Sequence, residues 1–558
     1  MKPTLRWQLL LALLSLGLVL ALLTFQVQTA SFCTVTVPAA GGRVTEGIVG
    51  APVYLNPLLS DANPVDRELV SLIFDGLTRY NEAGVLEPAL AESWQVAEDG
   101  RSVQFTLREG LTWHDGQPVT ANDVAFTYGL IQDEAFPGPA ALHQLWRAVT
   151  IEVLDERTIA FVLAEPYSPF LEATTRGILP AHRWQGVTAV SLPDHALNRT
   201  PIGTGPFVVE ADQEWQRTRR LRLAPHADYW RQGIQIAGLE FRFYPDEETL
   251  LQAFENGEIY AVNNITPSLL PQVTAVSDIR LFTAPTNLYT ALFFNLTDRG
   301  NAAWRPVAMR QALAHGLDRH LLVDEARSGQ GVVLDGPYLP TSWAYNPNLI
   351  TTYPTSVVTA TNLLAANGWN LPEGATIRQQ EGQPLTLQLL ALDTPTYRLL
   401  AEAIGEQWSV LGIGVQLSLA SNLPDLRQQL AERDFDAALV DVRPPRDPDL
   451  YDFWSQEAII RGQNFAGWNN RRASEALEQA RQTWGQAERR PFYDTFLRLY
   501  DTDLPALTLF QHVYVYGLSE EVNEAEIGRI HTPRDRYKTM ADWFLLYRDV
   551  TVACPEGS

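Results

Sequence analysis

The sequence predicts a mixed α/β protein built from several domains. Its 558 residues exceed what one hydrophobic core supports, so two to four domains are expected. Composition is that of a folded chain, with 46% apolar and 10% aromatic residues. Short stretches of period-two alternation are interleaved with segments whose apolar residues recur three and four apart, so strands and amphipathic helices follow one another.

Charge and composition narrow the function. A net charge of −23 argues against nucleic acid or an anionic membrane surface as a direct partner. Lysine occurs only at Lys2 and Lys538, which leaves no body lysine for Schiff-base chemistry. No G-x-S-x-G elbow, P-loop or dinucleotide fingerprint is present, and no enzyme activity is expected. There is no H-E-x-x-H or C-x-x-C, and His315 and His320 lie five apart, off a shared helix face, so no metal site or cofactor is expected.

The N-terminus reads as an address. Lys2 and Arg6 precede an uncharged run, Trp7–Ala40, with a leucine-rich centre from Leu9 to Leu23. Residues 1–40 are taken as a signal sequence or membrane anchor, about as long in its apolar part as the ~20 residues that span a bilayer.

Val44–Val49 reads as the first strand, and Asp66–Tyr80 as a helix with Leu69, Leu72, Ile73 and Leu77 on one face. Trp94–Val96 and Val103–Leu107 form a hairpin about Asp99-Gly100. Leu111–Trp113 is a third apolar piece. Thr120 and Asp123 fit a capping box at the start of a helix carrying Val124, Tyr128 and Ile131. Trp94 and Trp113 are expected in a core. A strand pair, Val149–Leu163, precedes a Pro-rich loop, Pro166–Pro180. Leu239–Tyr244 and Glu247–Gly257 form a strand–helix unit. Arg305–Arg319 is a helix with Met309, Leu313 and Leu317 buried. Thr394-Pro395 opens a helix reaching Leu411, Gly412 ends it, and Ile413–Leu419 is a strand. Phe435–Val440 is an apolar strand leading into a charged, Pro-rich loop, Asp441–Asp449. The helix Ala473–Gly485 and the segments Gln486–Tyr500 and Leu504–Tyr516 complete the order.

The wording of Glu87–Tyr128, "P-A-L-A-E-S-W … F-T-L-R-x-G-L-x-W-H-D-G-x-P-V-T-A-x-D-V", closely resembles the signature of family 5 extracytoplasmic solute-binding proteins. These are the peptide/nickel-type binding proteins of ABC importers. Ile202–Phe207 (I-G-T-G-P-F), the R-P-V-A-M-R-Q-A-L-A-H-G-L-D-R helix and Asn464–Trp468 are similar to family segments too, so the likeness runs through nearly everything after residue 43. It implies an α/β, bilobed periplasmic-binding-protein type II (venus flytrap) fold with a small domain inserted in the first lobe. Residues 41–80, 201–285 and 509–554 would form lobe I, 81–200 the small domain and 286–508 lobe II.

The resemblance also implies a role. The chain would capture an oligopeptide-like or other small polar solute between its lobes, as a monomer, and deliver it to ABC permease subunits. The alternatives are a sensory or chaperone-like relative, or a binder of oligosaccharide or chelated metal. Members that bind peptides carry an Asp for the peptide amine in the loop matching Asp441–Asp449. Aligning Asp447-Pro448-Asp449 on the family's D-P-D puts Pro444 at that position. The loop holds Arg443 and Arg446 beside Asp441 instead, and an arginine fork suits carboxylate or phosphate. Tyr54, Asn56, Tyr289, Asp441, Arg443, Arg446, Asp447, Phe465, Gln511 and His512 are the ligand-binding candidates. The protein would lie outside the cytoplasm, attached to the cytoplasmic membrane by an uncleaved anchor or by lipidated Cys33. Ala30-Ser31-Phe32-Cys33 is a poor lipobox because Phe32 is bulky. A Cys33–Cys554 disulfide would tie the two termini together and would compete with lipidation.

Overall fold

The computed structural model describes residues 3–29, 32–211, 214–231 and 233–553. Its frame is one sheet that runs through both lobes. In spatial order its main path takes Gly414–Ala420, Thr386–Leu392, Ala437–Val442, Ile279–Phe294, Ala506–Ser519, Ala261–Val262, Arg43–Val49, Gly238–Tyr244, Arg220–Pro225 and Phe207–Val209. Two strands are far longer than the rest. Ile279–Phe294 and Ala506–Ser519 pair antiparallel from Ile279↔Ser519 to Phe293↔Ala506, with register shifts between Pro285 and Tyr289 and between Thr290 and Ala291. Their outer halves belong to lobe I and their inner halves to lobe II, so the chain crosses between lobes twice, at one place.

Each lobe buries both faces of its part of the sheet. In lobe II, Leu292, Leu389 and Leu439 face a cluster with Trp304, Leu313 and Trp408. Phe293, Leu390 and Val440 face another with Trp454, Trp468 and Tyr493. Lobe I packs Val44, Phe241 and Tyr516 on one side, and Leu250, Ile259 and Val515 on the other. The small domain is a separate four-stranded antiparallel sheet, Ala91–Val96, Ser102–Leu107, Thr158–Val162 and Thr150–Val153 in spatial order. Val103, Phe105 and Leu107 point inward together, onto Tyr128 and Ile131 of the helix Ala121–Gln132. The Thr120/Asp123 capping box is formed. Trp113 is fully buried and Trp94 half-buried against Phe105.

Several elements depart from their sequence expectation. The helix expected over Asp66–Tyr80 spans Pro64–Ile73. Beyond it the chain is extended, because Leu77 N–H donates to Thr174 O and Thr78–Tyr80 pairs with Leu86–Pro88. A Cβ on Gly76 would lie 2.6 Å from the Thr175 backbone, so only glycine fits this close approach. The third apolar piece, Leu111–Trp113, is a loop with one bridge, Thr112↔Pro118. The helix expected over Arg305–Arg319 is two, Val307–His315 and Arg319–Arg327. Asp318 restarts the chain by accepting the Leu321 N–H.

The terminal segments differ most. Phe32–Ala39, placed within the leader by the sequence, is a strand paired antiparallel with Leu546–Ala553, Cys33 facing Val552. Cys33 is disulfide-bonded; Cys554, its expected partner, lies outside the described residues. Pro3–Thr29 is helical. The side chains described without a break in that helix run from Leu10 to Leu22, all exposed. Taken over the described residues, no helix is long and apolar enough to cross a membrane.

Candidate ligand cleft

The cleft is built where the two long strands cross. Thr290 on the outgoing strand lies opposite Asp441, at the end of Ala437–Val442, and His512 sits on the returning strand alongside. The Thr290 hydroxyl donates to Asp441 Oδ1 (2.7 Å), so at 2.8 Å from His512 Nε2 it accepts the imidazole N–H. Burial lowers the His512 imidazole below its ordinary range, against the pull of Asp441. Burial acts to raise the Asp441 carboxyl, but His512 and the hydroxyls of Tyr397 and Thr290 hold it below the usual range. About a third of the Asp441 side chain stays exposed.

The loop after Asp441 reaches all three domains. Arg443 Nη1 donates to Asn287 Oδ1 (3.3 Å), and Asn287 Nδ2 donates to Pro444 O (3.1 Å). The backbone N–H groups of Arg446 and Asp447 donate to the two carboxylate oxygens of Glu172 in the small domain, at 3.2 and 3.0 Å. Burial, with Asp447 nearby, raises the Glu172 carboxyl. The Arg446 guanidinium pairs with Asp535 of lobe I and lies 4.6 Å over the Tyr80 ring. Asp447 is clamped bidentately by Arg489, both contacts at 2.6 Å, with side chains 13% and 5% exposed. Asp449 pairs with Arg481 at 2.5 Å. Trp484 beside it donates to Gly100 O in the small domain (2.9 Å).

A cavity lies against this loop. It encloses roughly 680 Å³, part of it open to solvent, between Pro444–Pro448, Tyr338–Ser342, the turn at Ala83-Gly84 and Arg529–His531. Only about 80 Å³ of it is room for water-sized molecules, less than the ~300–1,000 Å³ of small-ligand pockets. Tyr338 is 2% exposed and its hydroxyl has no hydrogen-bond partner among the described residues. Buried hydroxyls are normally paired, so this one is open to a water or ligand atom. Among the described residues no three His, Cys, Asp or Glu side chains are grouped to hold a metal ion.

The sequence candidates therefore divide. Asp441 and His512 come together with an exposed edge, and Arg443 follows in the same loop, bonded to Asn287. Arg446 and Asp447 stand in the same loop, but their side chains are already paired. Gln511 is buried and donates to Thr286 O (2.6 Å), fixing the crossing. Asn56 is buried against Asn198 (2.9 Å), and Tyr289 and Phe465 pack in the lobe II core. Tyr54 is half-buried against the small domain, its N–H on Asp66 (2.8 Å). The sequence did not single out Thr290, Asn287, Glu172, Asp535, Arg489 or Tyr338. Glu172 sits in a segment that reads only as Pro-rich loop, and nothing local marks it.

Two α/β lobes joined by a double crossing, with a small domain beside the first, define a bilobed solute-binding protein. A family model described as bacterial extracellular solute-binding proteins, family 5 Middle, matches residues 85–458, and the chain belongs to that family. It is 24% identical over 515 residues to the oligopeptide-binding protein AppA of Bacillus subtilis, covering 91% of this chain and 92% of that protein. It is 27% identical over 371 residues to the nickel-binding periplasmic protein of Escherichia coli, covering 65% and 68%. The crystal structure of the substrate-binding protein CtaP of Listeria monocytogenes superposes with a TM-score of 0.77 at 22% identity, over 91% of this chain and 99% of that one. The family, the bilobed fold and the extracellular solute-binding role expected from the sequence are those observed; the family is one of binding proteins.

Proposed function

We propose that this protein captures an oligopeptide-like or other small polar solute between its lobes and presents it, as a monomer, to the permease of an ABC importer. One observation carries the reading. The loop Arg443–Asp449 leaves lobe II and is bonded to both the small domain and lobe I, at the wall of the interlobe cavity. A hinge that forms those bonds on closing encloses whatever lies in the cleft. The oligopeptide-binding relative supports a peptide-like ligand. A peptide amine could not use Asp447, whose carboxylate is saturated by Arg489; the exposed edge of Asp441 is the acidic group left for it.

A thermal-shift screen of di- to octapeptides, oligosaccharides and metal chelates tests this, because a ligand of the folded state raises the melting temperature. A peptide response that Asp441→Asn abolishes is expected. Responses to oligosaccharides or chelates alone would favour the alternative ligands, and none in any class would favour a sensory or chaperone-like relative. The helix Pro3–Thr29 is assigned here as export signal or anchor. A Cys33–Cys554 disulfide closing the terminal strand pair leaves no sulfur for lipidation.

A further inference from the structure

A second cavity lies outside the solute cleft, where the small domain meets lobe I, and it shares no lining residue with the first. It encloses roughly 700 Å³, of which about 270 Å³ is room for water-sized molecules, against about 80 Å³ in the cleft cavity. That is close to the ~300 Å³ at which small-ligand pockets begin. Its walls come from His114 and Asp115, from Arg183, and from residues 199–202 and 208–211.

These segments are pinned to one another. The Gly203 N–H donates to His114 Nδ1 (3.1 Å), so His114 Nε2 donates to Gly205 O (3.0 Å). The ring thus ties the small-domain loop to the chain returning into lobe I. Burial lowers the His114 imidazole to about 4, so at neutral pH it is uncharged and keeps both bonds. Two residues before Arg183, the Ala181 N–H donates to Asp123 Oδ1 (2.8 Å) in the capping box. Arg199 is held through its carbonyl, which accepts the Trp215 indole N–H of lobe I (3.1 Å).

The acids of the lining are already engaged. Asp115 accepts the His182 imidazole N–H (2.8 Å) and the Gln117 N–H (3.3 Å), and Glu210 pairs with Arg43. Burial acts to raise the Asp115 carboxyl, but those two bonds and the charges of His182 and Arg183 hold it below the usual range. Arg183 and Arg199 are both exposed, and neither forms an ion pair among the described residues. Pro201, Ile202, Val208 and Val209 add an apolar stretch to the same wall.

We infer that this cavity is a second ligand site, for a small organic acid. Its carboxylate or phosphate head would take charge-assisted hydrogen bonds from Arg183 and Arg199, and its apolar body would cover Ile202, Val208 and Val209. The ligand would bridge the small domain and lobe I. The inference does not depend on the solute-capture reading.

Calorimetry on the full chain tests it with four probes. Phenyl phosphate and benzoate carry both an anionic head and an apolar body; benzyl alcohol keeps only the body, and inorganic phosphate only the charge. One of the two acids should bind at least ~10-fold more tightly than benzyl alcohol or inorganic phosphate, and its binding should weaken with added salt. Which acid binds separates a phosphate ligand from a carboxylate one. Arg183→Gln and Arg199→Gln should each lose about 5-fold, and the double variant should lose binding, while Asp441→Asn in the cleft changes nothing. Val208→Trp keeps both arginines but fills the cavity, and it should lose binding too. The site is refuted if neither acid outbinds both controls, or if the acid keeps its affinity in the double arginine variant or in Val208→Trp.

Discussion

The Asp447–Arg489 pair gives a sharp test of how the cleft loop is held. Arg489→Ala would leave a buried carboxylate facing an empty space in lobe II. Arg489 also donates to the Tyr493 hydroxyl and to Ala480 O (2.9 Å), so the loss extends beyond one contact. Removing one partner of a buried ion pair destabilises by about 3–5 kcal/mol, because the remaining charge is left uncompensated. Burial already pushes the Asp447 carboxyl up even with Arg489 in place. The variant should therefore lower the urea midpoint of the transition that reports lobe II. The double variant Asp447→Leu/Arg489→Met removes both charges and should regain most of that loss, since paired apolar replacements are often near neutral. Equal destabilisation in the single and double variants would refute the reasoning and make the pair a bystander to loop packing.

Three further outcomes follow from the same geometry. Glu172→Gln keeps one acceptor but puts an amide NH₂ against a backbone N–H of the loop; scattering should show a more open ensemble, and an unchanged radius of gyration would count against Glu172 as a latch. Asp75, raised to about 6 chiefly by burial, accepts the Trp230 indole N–H at 2.8 Å. The folded state holds that proton more tightly than the unfolded chain, so its contribution is full below about pH 4 and fades as pH rises through 6. Melting temperatures at pH 4, 5, 6 and 7 should then decline less in Asp75→Asn than in the wild type, and parallel curves would contradict this. Cys33→Ser should loosen the Phe32–Ala39/Leu546–Ala553 pair while leaving the lobes folded; hydrogen exchange confined to those strands is expected, and global loosening would show that the terminal pair supports the whole fold.

Much of the fold was legible because local signals and tertiary packing agreed. The Val103/Phe105/Leu107 alternation, the Thr120 capping box and the Met309/Leu313 pair lie where their periodicity put them, and Leu317 is buried just past the helix end. Legibility failed where a distant partner decided. The helix expected through Tyr80 stops at Ile73 because Thr174 captures the chain, and the strand Phe32–Ala39 was hidden because its partner lies more than five hundred residues away. The site was half legible. The departure at Pro444 and the charged loop were visible as composition, and Asp441 and His512 do meet, through the Thr290 hydroxyl. That Arg446 is ion-paired was not visible, since it depends on Asp535, far along the chain, reaching it.

The central claim is capture of a solute by closure of the lobes. It is tested most directly by scattering on the extracytoplasmic body purified from its own host, before and after any bound solute is stripped by partial unfolding and refolding, with native mass spectrometry on both samples. The account predicts an added small-molecule mass and a compact form before stripping, and a bare, more extended form after. Identical scattering curves with no mass difference would contradict it.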